Sequence, residues 1–438
     1  MRTQFSRLCL ICAVLVPMGW AQEAEIGAAD DAPLTPPITL NGQGPSLAFQ
    51  SEKSRGSYLS GGVSVTGTYT DNALLSSTHE LSNFSTLIQP HLSLSQAMSR
   101  LSWDFSLGAG LIVNQNLSES NQASENLNFG LAYRLSPHLS LQLNDAFTNT
   151  TGLFSGIGDS PLTPGPGALE QPNTSLIVPL AQRTLANSSG VALSYQTGPN
   201  SITGVRGSYS LLNFPDAQQQ SQFGSLYDTQ TYLGEAFYDY RMTAKQWVGV
   251  TVRAQKFKTE SGFADSDVGS LLLFYAVNPT PTVTVSVFAG PEYLDIPTFA
   301  GIGRPRDHLW TSAEGVTVSW EGERTSTSAG FVRQFNDSGG LSSPLTLVSV
   351  NGRLRRQLSP HQNIQLGFAY ALNDPVEIAP SLQGFSGSFQ FERRFGKNLA
   401  LTAGYTRSQQ EVPASRNTVG TNQSWVSLSY DFTRPLGR

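Results

Sequence analysis

Few residues of this chain could carry acid–base or metal chemistry, and they are widely spaced. The histidines number five, namely His79, His91, His138, His308 and His361. No two stand at the spacing of a zinc site, and the HExxH pattern of metalloproteases does not occur. His138 and His361 each follow the dipeptide Ser-Pro, which favours a turn. We therefore predict no metal site and no cofactor.

His91 and Asp104 form the best candidate pair. A turn centred near Ala97 would set them opposite each other on one polar face of a hairpin. Catalysis would also require a nucleophile at a defined distance, and no arrangement of that kind is recognisable. We interpret the pair as a cross-strand contact worth roughly a few tenths of a kcal/mol and predict no catalytic residues. Asp71 and Asn72 could bind a cation, but a loop turn is the favoured interpretation.

Ionisable residues also recur on the polar side of alternating segments, where they would line an interior wall. The candidates are His91, Asp104, Arg134, Glu235, Asp239, Arg253, Glu314, Arg353, Arg355, Glu392 and Arg394. Both signs of charge occur, so we expect weak ion selectivity at most. The run NGRLRRQ at 351–357 is a local basic spot that could attract anionic sugars or simply flank a solvated turn.

The composition is unusual for a chain of 438 residues. Charged residues make up 13%, against about 25% in an ordinary globular domain. The net charge of −5 is thinly spread, which argues against nucleic acid as a partner. Both cysteines, Cys9 and Cys12, lie near the N-terminus, so the rest of the chain carries no disulfide.

The N-terminal segment is typical of export. Arg2 and Arg7 precede a short apolar run, and Gly19 and Ala21 occupy positions −3 and −1 of a cleavage site. We predict a signal peptide at 1–21, a flexible periplasmic segment at 22–50, and one domain at 51–438.

Apolar and polar residues alternate along this domain. The elements that this alternation predicts must also position the charged residues. Leu127, Phe129, Leu131 and Tyr133 show the two-residue period of a β-strand. The predicted strands are 58–70, 83–95, 100–113, 124–135, 138–149, 185–196, 201–212, 227–240, 246–257, 267–277, 281–291, 308–321, 324–336, 344–357, 362–372, 383–396, 398–408 and 423–433.

Short turns and long connections alternate between these segments. In an antiparallel up-and-down barrel, all short turns then fall at one rim and all long loops at the other, as in outer-membrane barrels. An even strand number leaves both termini at the short-turn rim. The longest connection, 150–184, could fold into the lumen or stand outside it.

Segments of this length favour a membrane. About eleven tilted residues cross a hydrocarbon layer, whereas strands in soluble sheets usually have about five or six residues. A closed sheet leaves no unpaired edge in lipid. We predict an all-β, single antiparallel up-and-down transmembrane barrel of about eighteen strands, with sixteen possible, short periplasmic turns and long extracellular loops. Aromatic residues near strand ends fit interfacial girdles.

One residue conflicts with this scheme. Asp145 falls on the lipid-facing parity between Leu143 and Phe147, where a carboxylate is unfavourable. A bulge near Asn144 would turn it inward; otherwise the register is wrong there.

Three stretches resemble bacterial outer-membrane barrels of the β-barrel porin-2 type: YTDNALLSS (69–77), LIQPHLSLS (87–95) and LAYRLSPHLSLQLNDAF (131–147). The resemblance covers roughly 60–150. The segment SWVSLSYDF, ending at Phe432, is similar to the terminal assembly signal of such barrels, although TRPLGR follows it. Some members accompany exopolysaccharide genes, so the resemblance implies outer-membrane location and polysaccharide export.

We interpret the chain as an outer-membrane barrel, exported through the periplasm, that acts as a passive porin or export conduit. The cargo would be a small hydrophilic solute or an exopolysaccharide. The expected partners are outer-membrane lipids, periplasmic chaperones and the barrel-assembly machinery. The alternatives are a structural or adhesive barrel with a plugged lumen, a barrel-embedded hydrolase and, third, a soluble secreted β-solenoid.

Overall fold

The computed structural model describes residues 57–77, 79–118, 121–151, 183–215, 227–259, 265–296, 307–336, 345–375, 381–412 and 417–436. The predicted signal peptide, the 22–50 segment and most of the 150–184 connection lie outside these residues. Within the described ranges, no helix is long and apolar enough to span a bilayer.

Eighteen strands make up the described chain. They are β1 (Tyr58–Thr70), β2 (Asn83–Ala97), β3 (Leu101–Asn114), β4 (Gln122–Arg134), β5 (Leu139–Thr151), β6 (Arg183–Gly198), β7 (Ser201–Asn213), β8 (Thr229–Thr243), β9 (Gln246–Thr259), β10 (Ser266–Thr280), β11 (Val283–Ile296), β12 (Asp307–Glu321), β13 (Thr325–Asn336), β14 (Leu345–Ser359), β15 (Gln362–Pro375), β16 (Leu382–Phe395), β17 (Leu399–Val412) and β18 (Asn417–Pro435).

The strands close into an antiparallel up-and-down barrel. Each strand pairs with its neighbours in sequence, and β1 also pairs with β18 from Tyr58↔Pro435 to Thr70↔Gln423. This confirms the predicted fold, with eighteen strands rather than sixteen. The largest difference is in β18, which begins at Asn417 rather than 423. Its added residues do not alternate in polarity, and they are held by the ladder to the upper end of β17.

The two rims differ as predicted. Eight connections of two to four residues lie at one end, here called the short-turn rim, at 98–100, 135–138, 199–200, 244–245, 281–282, 322–324, 360–361 and 396–398. The longer connections lie at the other end, the long-loop rim. Because Tyr58 pairs with Pro435, the described chain begins and ends at the short-turn rim.

The two faces of the sheet differ in polarity. Directly opposed residues share a face, so the register can be followed around the whole ring. Large apolar residues such as Leu111 and Leu273, both 63% exposed, cover the outer face. The inner face holds buried polar residues, including Ser64, Thr66 and Ser427. This is the arrangement expected of a sheet with lipid outside and water inside.

Asp145 does not turn inward. No bulge occurs near Asn144, and the register is not shifted there either, so Asp145 keeps the outward parity that the sequence gives it. Its strand keeps an unbroken register, with Asp145 opposite Phe129 on one side and Ser189 on the other. The carboxylate stays on the outer face and accepts hydrogen bonds from the Ser189 hydroxyl and from Asn187 Nδ2.

Part of the inner face is apolar, which the alternating pattern does not predict. Phe257, Val268 and Leu294 of the inner face form one buried cluster, against which Phe335 of β13 packs. A second cluster joins Leu272, Phe288 and Ala313. Both clusters involve strands between β9 and β13, so this sector of the wall packs like a small hydrophobic core.

Candidate functional site: the charged inner wall

Three charged residues meet at the same level of β7, β8 and β9. The register sets Arg206 opposite Glu235, and Glu235 opposite Arg253. Arg206 Nη1 donates to Glu235 Oε2 at 3.1 Å, and Arg253 Nε donates to Glu235 Oε1 at 3.0 Å. These side chains are only 4–9% exposed. The carboxylate is therefore held between two cations in a buried setting.

Apolar neighbours exclude water from this triad. Leu233 and Phe237 occupy the inner positions on either side of Glu235 and are 6% and 7% exposed. The Arg206 guanidinium carbon also lies 5.3 Å from the centroid of the Phe237 ring, within the range of a cation–π contact. A low local dielectric strengthens the attraction and makes an unpaired member unfavourable.

The same level of the wall continues to Glu292. Arg253 lies opposite Ser270, and Ser270 lies opposite Glu292. The Glu292 side chain is 1% exposed, and its Oε2 accepts the backbone N–H of Phe335 at 2.8 Å. The ladder between β12 and β13 ends at Glu314↔Arg333. The carboxylate thus supplies an acceptor beyond that point of the ladder.

Asp239 lies two inner positions nearer the short-turn rim than Glu235. It is opposite Ile202 and Gly249 and is 5% exposed. A Cβ placed on Gly249 would come within 2.1 Å of Asp239 Oδ1. The carboxylate therefore packs against bare backbone, and the glycine is what allows it.

His91 contacts a different partner from the one predicted. The turn is centred farther along than Ala97, so His91 lies opposite Gly108 and Asp104 lies opposite Ser95. The turn lies two residues later than predicted, so the predicted pairing of His91 with Asp104 is wrong by four residues along the partner strand. Instead His91 Nε2 lies 2.8 Å from Asp431 Oδ1 on β18.

Gly62 makes the His91–Asp431 contact possible. It occupies β1 between the two residues, opposite His91 on one side and Asp431 on the other. A Cβ there would lie 2.2 Å from the Tyr430 carbonyl oxygen and 2.6 Å from Asp431 Oδ1. The His91–Asp431 contact therefore bridges across the strand that closes the barrel.

Replacing Gly62 by alanine should weaken closure of the barrel. The new methyl group would meet backbone, so β1 and β18 would have to separate, and overpacking of this kind costs about 1–3 kcal/mol. Denaturant unfolding in lipid vesicles measures the loss. Gly67→Ala is the matched control, because a Cβ there meets only the movable ring of Phe84 at 3.2 Å. Equal losses in both variants would contradict this account.

The other candidates lie apart from the triad. Asp104 Oδ1 lies over Gly130, 2.7 Å from where a Cβ would be. Arg134, opposite Ser140, is at the short-turn end of β4. Near the same rim, Arg394 Nε donates to Glu392 Oε1 at 2.7 Å, and Asn363 Nδ2 donates to Glu392 Oε2 at 3.3 Å.

Arg353 and Arg355 complete the inner face at this rim. Both are exposed. They lie opposite Gly367 and Gln365 of β15. With Arg394 they form an exposed basic arc on β14 and β16, here called the mouth arc. The basic spot noted in the sequence at 351–357 is thus split between faces, because Arg356 points to the outer side.

Glu314 does not belong to the inner wall, and its assignment there is wrong. It shares the outer face with Val316 and Val318, and it lies opposite Arg333 at an N–O distance of 3.7 Å. The prediction followed the polarity of the residue. Its position relative to Trp320, six residues later on the same parity, would have placed it correctly.

Arg206, Glu292 and Asp431 are inner-wall residues that the sequence analysis missed. Arg206 alternates with Gly204 and Ser208 in TGVRGSYS, so the two-residue period could have found it. Glu292 lies beyond the alternating apolar residues of its strand, and Asp431 lies at the end of those of its own strand. Only the strand register assigns them a face.

Asp71 and Asn72 lie in the first long connection and tie it to β18. Asp71 Oδ1 accepts the backbone N–H of Asn422 at 2.7 Å and the Thr421 hydroxyl at 3.3 Å. Asn72 Nδ2 donates to the carbonyls of Ser76 and Gly420. Burial raises the pKa of Asp71, but the hydrogen bonds from Asn422 and Thr421 outweigh it and leave the pKa below its usual value.

The long-loop end of this closing ladder should therefore loosen in acid. Because the pKa of Asp71 is lower in the folded state, its stabilising effect is present above the ordinary carboxyl pKa of 3.8 and is lost as the pH falls through the lowered value. Hydrogen exchange at the Asn422 amide, compared above and below that range, measures the effect. Asp71→Asn should remove the pH dependence; if it persists in this variant, Asp71 is not its source.

The structure thus defines a closed eighteen-stranded antiparallel barrel with an apolar outer face. No family model and no curated protein matches the sequence.

Solved structures align over most of the chain. OccAB4 of Acinetobacter baumannii has a TM-score of 0.45 and 8% identity, covering 87% of this chain and 100% of its own. OpdO of Pseudomonas aeruginosa has a TM-score of 0.45 and 10% identity, covering 86% and 97%. OpdK of Pseudomonas aeruginosa, solved with vanillate, has a TM-score of 0.43 and 10% identity, covering 86% and 99%. At these scores the matches say nothing about what this chain transports.

Proposed function

We propose that this chain is an outer-membrane barrel that conducts a hydrophilic solute by passive diffusion. The observation that carries the proposal is the closed ring of eighteen strands with apolar residues outside and polar residues inside. Barrels of 16–18 strands are wide enough for an aqueous channel. The predicted signal peptide and the assembly machinery of the outer membrane would deliver the chain, and lipid would surround it.

The charges on the wall favour weak selectivity between ions. In the triad one carboxylate faces two cations, and all three side chains are buried. These charges stabilise the wall more than they attract or repel a passing solute. The mouth arc is exposed, but Glu392 neutralises part of it. A modest preference for anions is what this balance supports.

Exopolysaccharide is the more specific cargo that we propose. Its support is the resemblance of 69–147 to a type of barrel some members of which accompany exopolysaccharide genes, together with an inner wall of hydroxyl and amide side chains. Serine, threonine, asparagine and glutamine can each donate to and accept from sugar hydroxyls. Binding of long neutral and acidic glycans, seen as interruptions of ion current, would support this cargo. Current unaffected by any glycan would oppose it.

Conductance across a planar bilayer tests the proposed pore. Purified full-length protein should give discrete current steps after insertion. Arg355→Ser should shift the reversal potential in a salt gradient towards cations, and Arg356→Ser, its neighbour on the outer face, should leave that potential unchanged. Silence from protein whose insertion is verified by its heat-modifiable mobility would overturn the proposal.

A structural barrel with a plugged lumen is the second candidate. The buried apolar clusters of the inner face favour it, because Phe257, Val268 and Leu294 fill space on that side of the sheet. The same bilayer experiment separates the two, since a plugged barrel would insert and stay silent. His91 does not support the hydrolase alternative, because it contacts Asp431 rather than a nucleophile.

A further inference from the structure

A polar spot lies in the middle of the outer face. Asp145 is the seventh of the thirteen residues of β5 and faces outward. It accepts hydrogen bonds from Ser189 Oγ and from Asn187 Nδ2, the latter at 3.4 Å, both on the outer face of β6. Residues on either side of Asp145 on this face are apolar, namely Leu143 and Phe147. We call Asp145, Asn187 and Ser189 the outer polar spot.

The spot differs from the other outward carboxylate near mid-strand. Glu314 also faces outward, but Arg333 lies 3.7 Å away and balances its charge. Among the described residues Asp145 forms no ion pair, and its hydrogen-bond donors are neutral. Ionisable groups at membrane depth are rare and normally face protein or water rather than lipid. The outer polar spot is therefore placed where contact with another protein would be more favourable than contact with acyl chains.

The neighbouring strands permit close approach. On the outer face Gly207 of β7 lies opposite Gly234 of β8, and a Cβ at Gly234 would meet no atom within 4 Å. Small residues let backbones approach closely within a membrane. Beside them the rings of Tyr209 and Tyr232, on the same face, lie 5.1 Å apart.

We propose that the outer face of β5–β8 binds the same face of a second copy of this chain. The outer polar spot contains a carboxylate acceptor, an amide that donates and accepts, and a hydroxyl that does both. A patch with donors and acceptors together is complementary to itself, as a two-fold interface requires. Two copies inserted in the same direction present their spots at the same depth, so each Asp145 can accept from the partner copy's amide. This association does not depend on what the barrel transports.

Cysteine cross-linking tests the interface, because both native cysteines lie within the first twelve residues. Val191→Cys places a thiol on the outer face of β6, two residues from Ser189, and leaves the outer polar spot intact. Under a two-fold contact this position meets its own copy, so a short bis-maleimide should give a dimer in native membranes. The matched control is Phe368→Cys, also outward and near mid-strand but on β15. Asp145→Leu in the Val191→Cys background should weaken association by about tenfold or more and lower the dimer yield to that of the control.

Three results would overturn the proposal. They are a dimer yield at Val191→Cys no higher than at Phe368→Cys, a cross-linked product of a mass other than twice the chain, and a dimer yield unaffected by Asp145→Leu. Should Asp145→Leu fail to fold, a spin label at 191 provides the second measurement. In otherwise native protein it should be less accessible to lipid-dissolved oxygen than a label at 368, and equal accessibility would count against the interface.

Discussion

Removing the carboxylate of Glu235 should cause the largest loss of stability in the barrel. Glu235→Leu would leave Arg206 and Arg253 facing each other with at most 9% of either side chain exposed. Breaking a buried ion pair on one side costs about 3–5 kcal/mol, because the remaining charge is desolvated and unpaired. Denaturant unfolding in lipid vesicles should show a loss of this size.

Two controls identify the cause of that loss. Glu392→Leu removes the same kind of contact, at 2.7 Å, where Arg394 is 57% exposed, and exposed pairs are worth about 0–1 kcal/mol. Replacing all three triad residues together, as Arg206→Met, Glu235→Leu and Arg253→Met, should restore most of the stability, since apolar replacements of buried ion groups are often neutral. A loss below about 1 kcal/mol for Glu235→Leu would mean that water reaches the triad.

The second large effect separates the two faces at adjacent positions. Phe389 is outward, 44% exposed, and the eighth of the fourteen residues of β16. Phe389→Lys should cost about 2–4 kcal/mol, the range measured for a cation near the middle of the lipid face. Ser388→Lys puts the same charge on the inner face one residue earlier, opposite Gly367 and Thr406. Its effect should stay within about 0.5 kcal/mol, as for a solvated position.

Phe389→Leu measures the part of the first effect that comes from the lost ring. The free energy of unfolding in vesicles is the readout for all three variants. The two lysine variants should differ by at least about 1.5 kcal/mol. Equal losses at 388 and 389 would show that lipid does not contact the outer face more than the inner one.

The alternating residues carry most of the fold because a two-residue period assigns every side chain to a face. Leu127, Phe129 and Leu131 identify the outer side of β4. A sheet whose outer face lies in lipid must close, because an open edge would leave backbone groups unpaired. Strand ends are less determined. Residues 417–422 of β18 do not alternate, and their place in the sheet comes from pairing with β17.

Contacts on the inner wall depend on register, which the sequence fixes less well. A shift of the β2–β3 turn by two residues preserves every face yet replaces Asp104 by Gly108 opposite His91. Partners across the closing ladder, such as His91 and Asp431, are 340 residues apart in sequence, so no local pattern links them. Glu314 and Asp145 show the complementary error, since polarity alone does not give a residue its face.

Spin labels along β4 provide the most direct measurement of the central claim, that the apolar face of this closed sheet contacts lipid and the polar face contacts water. Labels at 127, 129 and 131 should be relaxed by oxygen dissolved in the bilayer. Labels at 126 and 128 should be relaxed by a water-soluble nickel chelate. An alternation of accessibility with a period of two residues is the predicted result, and equal access of the water-soluble agent to both sets would contradict it.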